Sequence, residues 1–340
     1  MPAPLHSRRV AIVGASSLRG KELNRLLEER SFPADDVRLI DDEAVGKLAE
    51  AGGEATFIHA LEEDSFERAR FVFFAGDADF TARVWPAAHK AGATVIDLSA
   101  ALAGVPTAVA WIPALDAVLP PPRPAAGKLF VSPDAAAMLA CTVAAGLAHL
   151  DVTRMVLVFL QPVSERGQAG IDELESQTAN LLSFQSAPQE LYDAQVAFNL
   201  LPRFGAASRE RLGDVRVALA QQVERYLAGR APVPAIQLIQ APVFYSSAFS
   251  GFVEFGVRPS AEDVHAALAR AGVRISTKEE PPLSNISIAG ETHLALAPVE
   301  PDPLLPKGFW LWGAADNLRA SAANAVTIAE RLLASEKNEK

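Results

Sequence analysis

Short, almost wholly apolar runs alternate with helix-period segments through the first third of the chain, and this alternation restricts the fold more than any other feature. RVAIVG at 9–14 precedes GKELNRLLEER at 20–30, whose Leu23, Leu26 and Leu27 share one helical face. VRLI at 37–40, FVFFA at 71–75, a helix over about 78–91 and TVIDLS at 94–99 continue the pattern. Strands so uniformly apolar have no solvent face, so they predict a parallel sheet covered by helices on both sides. KLFVS at 128–132 predicts another strand, feeding a helix. RMVLVFLQ at 154–161, AIQLIQAPVF at 235–244 and SGFVEFGVRP at 250–259 predict a second set, with longer helices between them. Residues 316–335 predict a last amphipathic helix that packs back on the first domain. LPPPRP at 119–124 predicts a surface run, and the polar SEKNEK at 335–340 a frayed end.

A chain of 340 residues exceeds what one core usually serves. Two domains are expected, 1–128 joined by the last helix, and 129–315. No run of about 18 apolar residues occurs, so no membrane span is expected. The apolar stretch before Gly14 is too short for a signal segment. With one cysteine and no call for an oxidising compartment, a cytoplasmic protein is expected. The formal charge of −10 argues against a nucleic-acid partner. The six histidines show no zinc-ligand spacing, so no metal is expected. Nor is there a Gly-x-Ser-x-Gly elbow.

VGASSLRG at 13–20 joins the first strand to the first helix, where exposed helix N–H groups favour anions. Gly14 and Gly20 suit a phosphate loop, but Ser17 puts a Cβ where backbone should approach a pyrophosphate. Taken alone, the segment fits a dinucleotide loop or a plain strand–helix turn. Asp41, Asp42 and Glu43 follow the second strand. A carboxylate there accepts from a ribose 2′-OH and repels a 2′-phosphate, so a dinucleotide would be NAD rather than NADP. A solvated charge cluster is the other reading.

VGASSLRG with LLEERSFP (26–33), VIDLSAAL (95–102), QPVSERGQAGIDELESQT (161–178), VAFNLLPRFG (196–205), QAPVF (240–244) and DNLRASAANAV (316–326) together resemble the aspartate-semialdehyde dehydrogenase family. They occur in the family's order and cover nearly the whole chain. The resemblance implies a Rossmann-like dinucleotide-binding domain and an α+β dimerisation domain, hence a homodimer. It implies cofactor contacts at Gly14, Ser16, Ser17, Leu18, Gly20 and Asn317. The chemistry it implies runs through a thioester: a cysteine thiolate attacks the aldehyde, hydride passes to NADP, and phosphate releases the acyl group. A histidine serves as acid and base, and arginines hold carboxylate and phosphate.

This chain departs from that pattern at each reacting position. The nucleophile follows Asn-Pro-Asn in the family; here Ser132-Pro133-Asp134 leads to Ala135. Arg-Val-Pro-Val and Gly-His-Ser become Gln240-Ala241-Pro242-Val243 and Ser246-Ser247-Ala248. The carboxylate-binding arginine therefore falls on Gln240 and the acid/base histidine on Ser247. A phosphate-binding arginine falls on Ala103, and a basic residue near the cofactor ribose on Glu43. The family's glutamine survives as Gln161. The only thiol, Cys141, lies six residues past Ala135, about 9 Å along the helix and rotated by about 240°, among alanine, leucine and valine. It is expected to act as a small core hydrophobe.

The lead expectation is a catalytically silent relative that retains nucleotide or small acidic ligand binding and partners a biosynthetic enzyme. The alternatives are an active NAD(P)-dependent semialdehyde dehydrogenase with relocated groups, and a structural module that binds no nucleotide.

Overall fold

The structure, a computed structural model, describes residues 9–120, 128–277 and 279–338. The chain divides into two compact units. The first holds the chain up to Pro113, the stretch ending at Asp134 and everything from Ser321; the second holds Ala114–Pro120 and Ala135–Ala320.

The first unit runs β1 (Arg9–Val13), α1 (Leu18–Glu29), β2 (Asp36–Ile40), a hairpin of β3 (Leu48–Ala51) and β4 (Glu54–Phe57), β5 (Ala69–Phe74), α2 (Ala78–Lys90), β6 (Thr94–Asp97), β7 (Val109–Ala110), β8 (Leu129–Val131) and, after the second unit, α7 (Arg319–Asn338). Its main sheet has the order β2-β1-β5-β6-β8-β7, with every pair parallel. Alternate residues serve opposite faces. Val10, Ile12, Phe71, Phe73 and Ile96 pack in one core with Leu23, Leu26 and Leu27 of α1 and Val326 and Ala329 of α7. Ala11, Val13, Val72, Phe74 and Val95 pack in the other with Val84 and Ala88 of α2. Both faces are covered, which is why the strands read as continuous apolar runs.

Helix α7 is fastened as well as packed. Asn324 Nδ2 donates to Trp111 O and to Ser132 Oγ, both at 2.9 Å, and Ser132 Oγ donates to Ser321 O at 2.8 Å. These groups are buried. Asn324→Ala is expected to cost about 1–3 kcal/mol, read as a lower denaturant midpoint. An unchanged midpoint would show that the network contributes nothing.

Two boundaries differ from expectation. The strand at 129–131 pairs with β6 and β7, so it belongs to the first unit and the chain changes unit only after Asp134. The polar tail is helical as far as Asn338 rather than frayed from 335. Of the proline-rich run, residues 121–124 lie outside the described residues.

The second unit runs α3 (Ala135–Leu147), β9 (Val152–Gln161), α4 (Gly167–Leu182), α5 (Leu212–Leu227), β10 (Ala235–Gln240), β11 (Ser247–Phe255), α6 (Ala261–Arg270), β12 (Val273–Ile275), β13 (Leu294–Leu296), β14 (Glu300–Pro301) and β15 (Gly308–Ala315). Its sheet is mixed, ordered β10-β9-β11-β15-β13-β12, with β14 on β15. Helix α3 lies against β9, β11 and β15 and also meets α5 and α6. Every residue of this alanine-rich helix except Ala136 is buried. A Cβ on Gly146 would meet the Ala271 Cβ at 3.0 Å, so small residues set this close approach. β10 ends at Gln240 rather than at 244, two residues before Pro242, which has no N–H for a ladder. Met155, Leu157 and Phe159 are buried, whereas Val156, Val158 and Leu160 on the other face are only half-buried. Among the described residues no helix is long and apolar enough to cross a membrane.

Candidate functional site

The glycine loop sits at the end of β1, where the sheet order turns from β2 on one side to β5 on the other. That is the usual place for a nucleotide in an open parallel sheet. Gly14 has φ +79°, and a Cβ there would lie 2.4 Å from Gly76 Cα. A Cβ on Gly20 would lie 2.2 Å from Gly14 O, so α1 approaches the loop too closely for any side chain. Ser17 caps α1: its Oγ accepts from Gly20 N–H at 2.9 Å and donates to Ala75 O at 2.8 Å. Its Cβ is the counterpart of a cap, a role that composition alone does not reveal.

Most donors of this loop already have protein partners. Gly14 and Ala15 N–H reach Ile40 O at 2.9 and 3.2 Å, and Ser17 N–H reaches Gly14 O at 3.1 Å. Ser16 donates both its N–H and its hydroxyl to Asp41 Oδ2, at 2.9 and 2.8 Å, and Glu43 N–H reaches Asp41 Oδ1 at 3.0 Å. The N–H of Leu18, the first residue of α1, makes no hydrogen bond to the described residues. Asp41 is buried, while Asp42 and Glu43 are exposed.

Ala103 lies in the short turn Ala101–Gly104 after β6. Asp97 organises that turn, its carboxylate accepting from Ser99 N–H at 2.7 Å, Ser99 Oγ at 2.6 Å and Leu102 N–H at 2.8 Å. Burial pushes the Asp97 carboxyl above its ordinary range, against the opposing pull of these hydrogen bonds and of Arg19.

In the second unit three of the family positions come together by register. Gln240 pairs with Gln161 across β10 and β9. Ser247 lies one step beyond the Ala248–Leu160 pair of β11 and β9, so it stands beside Gln161 on the other side. All three are buried and share the face that carries Phe159 and Phe249. Ala135 is the first residue of α3 and is fully buried. Cys141 lies mid-helix and is 1 % exposed. Among the described residues no group of three or more His, Cys, Asp or Glu is placed to hold a metal ion.

Two residues at this sheet end have functions that spacing does not reveal. Ser246 is fully buried with φ +71°, in the left-handed region, where the family motif has glycine. The exchange of glycine for serine is itself the signal of such a φ. Asn317 is also buried, and its partners lie in the second unit. Its Oδ1 accepts from Ser246 N–H at 2.9 Å, and its Nδ2 donates to Ser164 Oγ and Glu165 Oε1, both at 3.1 Å. The Asn317 amide thus fastens the Ser246 turn to the 163–166 turn.

The motifs that carry the resemblance are largely structural. Glu173 and Gln177, one turn apart on α4, hold the 188–197 segment. Gln177 Nε2 lies 2.7 Å from Pro188 O and 3.1 Å from Ala194 O, and its Oε1 accepts from Val196 N–H at 2.7 Å and Ala197 N–H at 3.0 Å. Glu173 Oε2 accepts from Leu191 N–H at 2.5 Å. Arg166 pairs with Glu210 and lies over the rings of Phe204 (5.0 Å) and Tyr192 (5.9 Å). Burial lowers the Arg166 pKa and raises that of Tyr192.

A parallel-sheet unit with a glycine loop at its switch point, followed by a mixed-sheet unit, defines a two-domain α/β protein of dehydrogenase type. Residues 9–118 match the family described as semialdehyde dehydrogenase, NAD binding domain, and residues 145–320 match semialdehyde dehydrogenase, dimerisation domain. The chain belongs to the semialdehyde dehydrogenase family. It is 30% identical to a USG-1 protein homolog of Pseudomonas aeruginosa over 339 residues, covering 98% of this chain and 99% of that one. An aspartate-semialdehyde dehydrogenase of Rickettsia bellii is 28% identical over 331 residues, covering 95% and 97%. Among solved structures, a probable aspartate-semialdehyde dehydrogenase from Pseudomonas aeruginosa has TM-score 0.84 at 29% identity, covering 96% of this chain and 98% of that one.

Proposed function

We propose that this chain keeps the family's nucleotide-binding and dimerisation architecture without its thioester chemistry. The carrying observation is at the head of α3, where Ala135 occupies the position of the expected nucleophile and the only thiol is enclosed further along the helix. Alanine cannot form an acyl-enzyme, and Ser247, in the histidine position, has no basic ring nitrogen to move a proton. Gln240 and Ala103 supply no charge for carboxylate or phosphate.

The loop suits a dinucleotide through its two glycines and the N–H of Leu18. A bound dinucleotide would supply a hydride acceptor; the chain's own residues would hold its phosphates and ribose. Asp41, Asp42 and Glu43 disfavour a 2′-phosphate by repulsion, and Asp41 Oδ1 retains one acceptor direction for a ribose hydroxyl. This supports NAD over NADP. The half-buried sheet face of the second unit supports pairing with a second copy, as the matched family's dimerisation description suggests.

Pure protein mixed with aspartate semialdehyde, phosphate and either NAD or NADP is expected to give no reduced cofactor by absorbance. Turnover that disappears in Cys141→Ser would overturn the reading. Iodoacetamide at neutral pH is expected to label Cys141 only on unfolding. NAD is expected to raise the thermal midpoint more than NADP does; a larger rise with NADP would refute the cofactor preference.

A further inference from the structure

We infer that Arg19, in the first turn of α1, anchors a phosphate or pyrophosphate group at the carboxyl ends of β1, β5 and β6. The same chemistry is offered by the phosphates of a nucleotide and by the free anion. The inference deepens the nucleotide-binding reading and rests on it, and binding alone measures it.

Arg19 follows Leu18 at the start of the helix. Helical side chains lean toward the N-terminus, so this one leans back toward the glycine loop. Its Nη1 donates to Leu98 O at 3.4 Å, just past the end of β6. The sheet order is β2-β1-β5-β6, so the end of β5 lies between the loop and Leu98. That end is held close to the loop: Ser17 Oγ donates to Ala75 O at 2.8 Å, and Gly76 lies against Gly14. The Arg19 side chain therefore crosses the strand ends, where an open parallel sheet takes its ligand. A contact of 3.4 Å to a neutral carbonyl is long for a guanidinium. Phosphate oxygens accept from the same planar fork at shorter distance and in pairs, so exchange favours the anion.

Charge is sorted along this edge of the sheet. On the β2 side stand Asp41, Asp42 and Glu43, with Asp41 buried against Ser16. On the β6 side stands Arg19, whose charge also acts on the buried Asp97. The Asp97 carboxylate is itself enclosed by donors from Ser99 and Leu102. A ligand with hydroxyls at one end and phosphates at the other fits this gradient in one direction only, hydroxyls toward Asp41 and phosphates toward Arg19. The turn at Ala101–Gly104 is also where the family resemblance places a phosphate-binding arginine and this chain has Ala103. The cation missing from the turn is returned to its neighbourhood from the helix.

Calorimetric titration of the parent and of Arg19→Gln with NAD, ADP, pyrophosphate and adenosine tests this. The parent is expected to bind the three phosphate-bearing ligands more tightly than adenosine. Arg19→Gln is expected to lose about tenfold in affinity for those three and to bind adenosine unchanged. The loss should shrink as salt is raised, which an arginine that only supports the fold would not show. Ala103→Arg added to Arg19→Gln is expected to recover part of the affinity, so a folding failure cannot mimic the result. The proposal is overturned if Arg19→Gln binds ADP and pyrophosphate as the parent does, if adenosine loses affinity in the same proportion, or if the parent binds adenosine as tightly as ADP. Pyrophosphate binding without NAD or ADP would refute the nucleotide reading and leave Arg19 as the anchor of a free anion. A parent that binds none of the four refutes both.

Discussion

Gln177→Leu is expected to destabilise the protein by about 3–5 kcal/mol. The side chain has nearly the same volume, so the cost comes from polarity rather than packing. In the parent, one buried amide answers the N–H groups of Val196 and Ala197 and the carbonyls of Pro188 and Ala194. Leucine leaves those backbone groups without partners in a segment that has no sheet or helix to supply others. The neighbouring Glu173 also loses its contact with Gln177 Nε2 at 3.1 Å. A folded domain is stable by only about 5–15 kcal/mol, so this one amide accounts for a large part of the margin. The thermal midpoint should fall by about 10 °C, and amide hydrogens at 191, 196 and 197 should lose exchange protection before the strands of the sheet do. A midpoint within a degree or two of the parent's would mean that the segment holds itself by other contacts.

Gly20→Val is expected to be as damaging, for a steric reason. The added Cβ would lie 2.2 Å from Gly14 O and 2.9 Å from Ala15 Cα, and both are backbone atoms that cannot rotate aside. Helix α1 must therefore retreat from the loop, opening the core that Leu23, Leu26 and Leu27 share with β1. A cost of about 3 kcal/mol or more follows. Any rise in thermal midpoint with NAD should vanish, because the helix start that presents the Leu18 N–H has moved. Gly213→Ala is the control: that glycine has no neighbour within 4 Å of a built Cβ and a negative φ, so its stability should be unchanged or slightly higher. If Gly20→Val matches the control in stability and in response to NAD, the close approach of α1 does not hold in solution.

The first sheet was legible from residues alone because each strand has helices on both faces, which writes burial directly into the sequence as unbroken apolar runs. The second sheet was less so. Its strands have one face under α3 and one half-buried, and β13 and β15 draw their order from pairing distant in the chain. Strand ends were misplaced where a proline or the ladder, rather than hydrophobicity, sets the limit, as at Gln240. The candidate site was legible chiefly as substitutions. Ala135, Gln240, Ser247 and Ala103 stand out against the family pattern, but nothing in their spacing says what the new residues do.

The sequence by itself determined that a parallel α/β sheet with a glycine turn begins the chain, and that no thiol stands at the head of the buried helix. These are one-dimensional facts: periodicity, and the identity of one residue. Tertiary structure decided what the polar residues are for. Asp41 anchors Ser16 across the loop, and Asn317 holds the Ser246 turn. A hydrogen bond joins groups by distance and direction, and partners 25 or 71 positions apart leave no periodic trace in the chain.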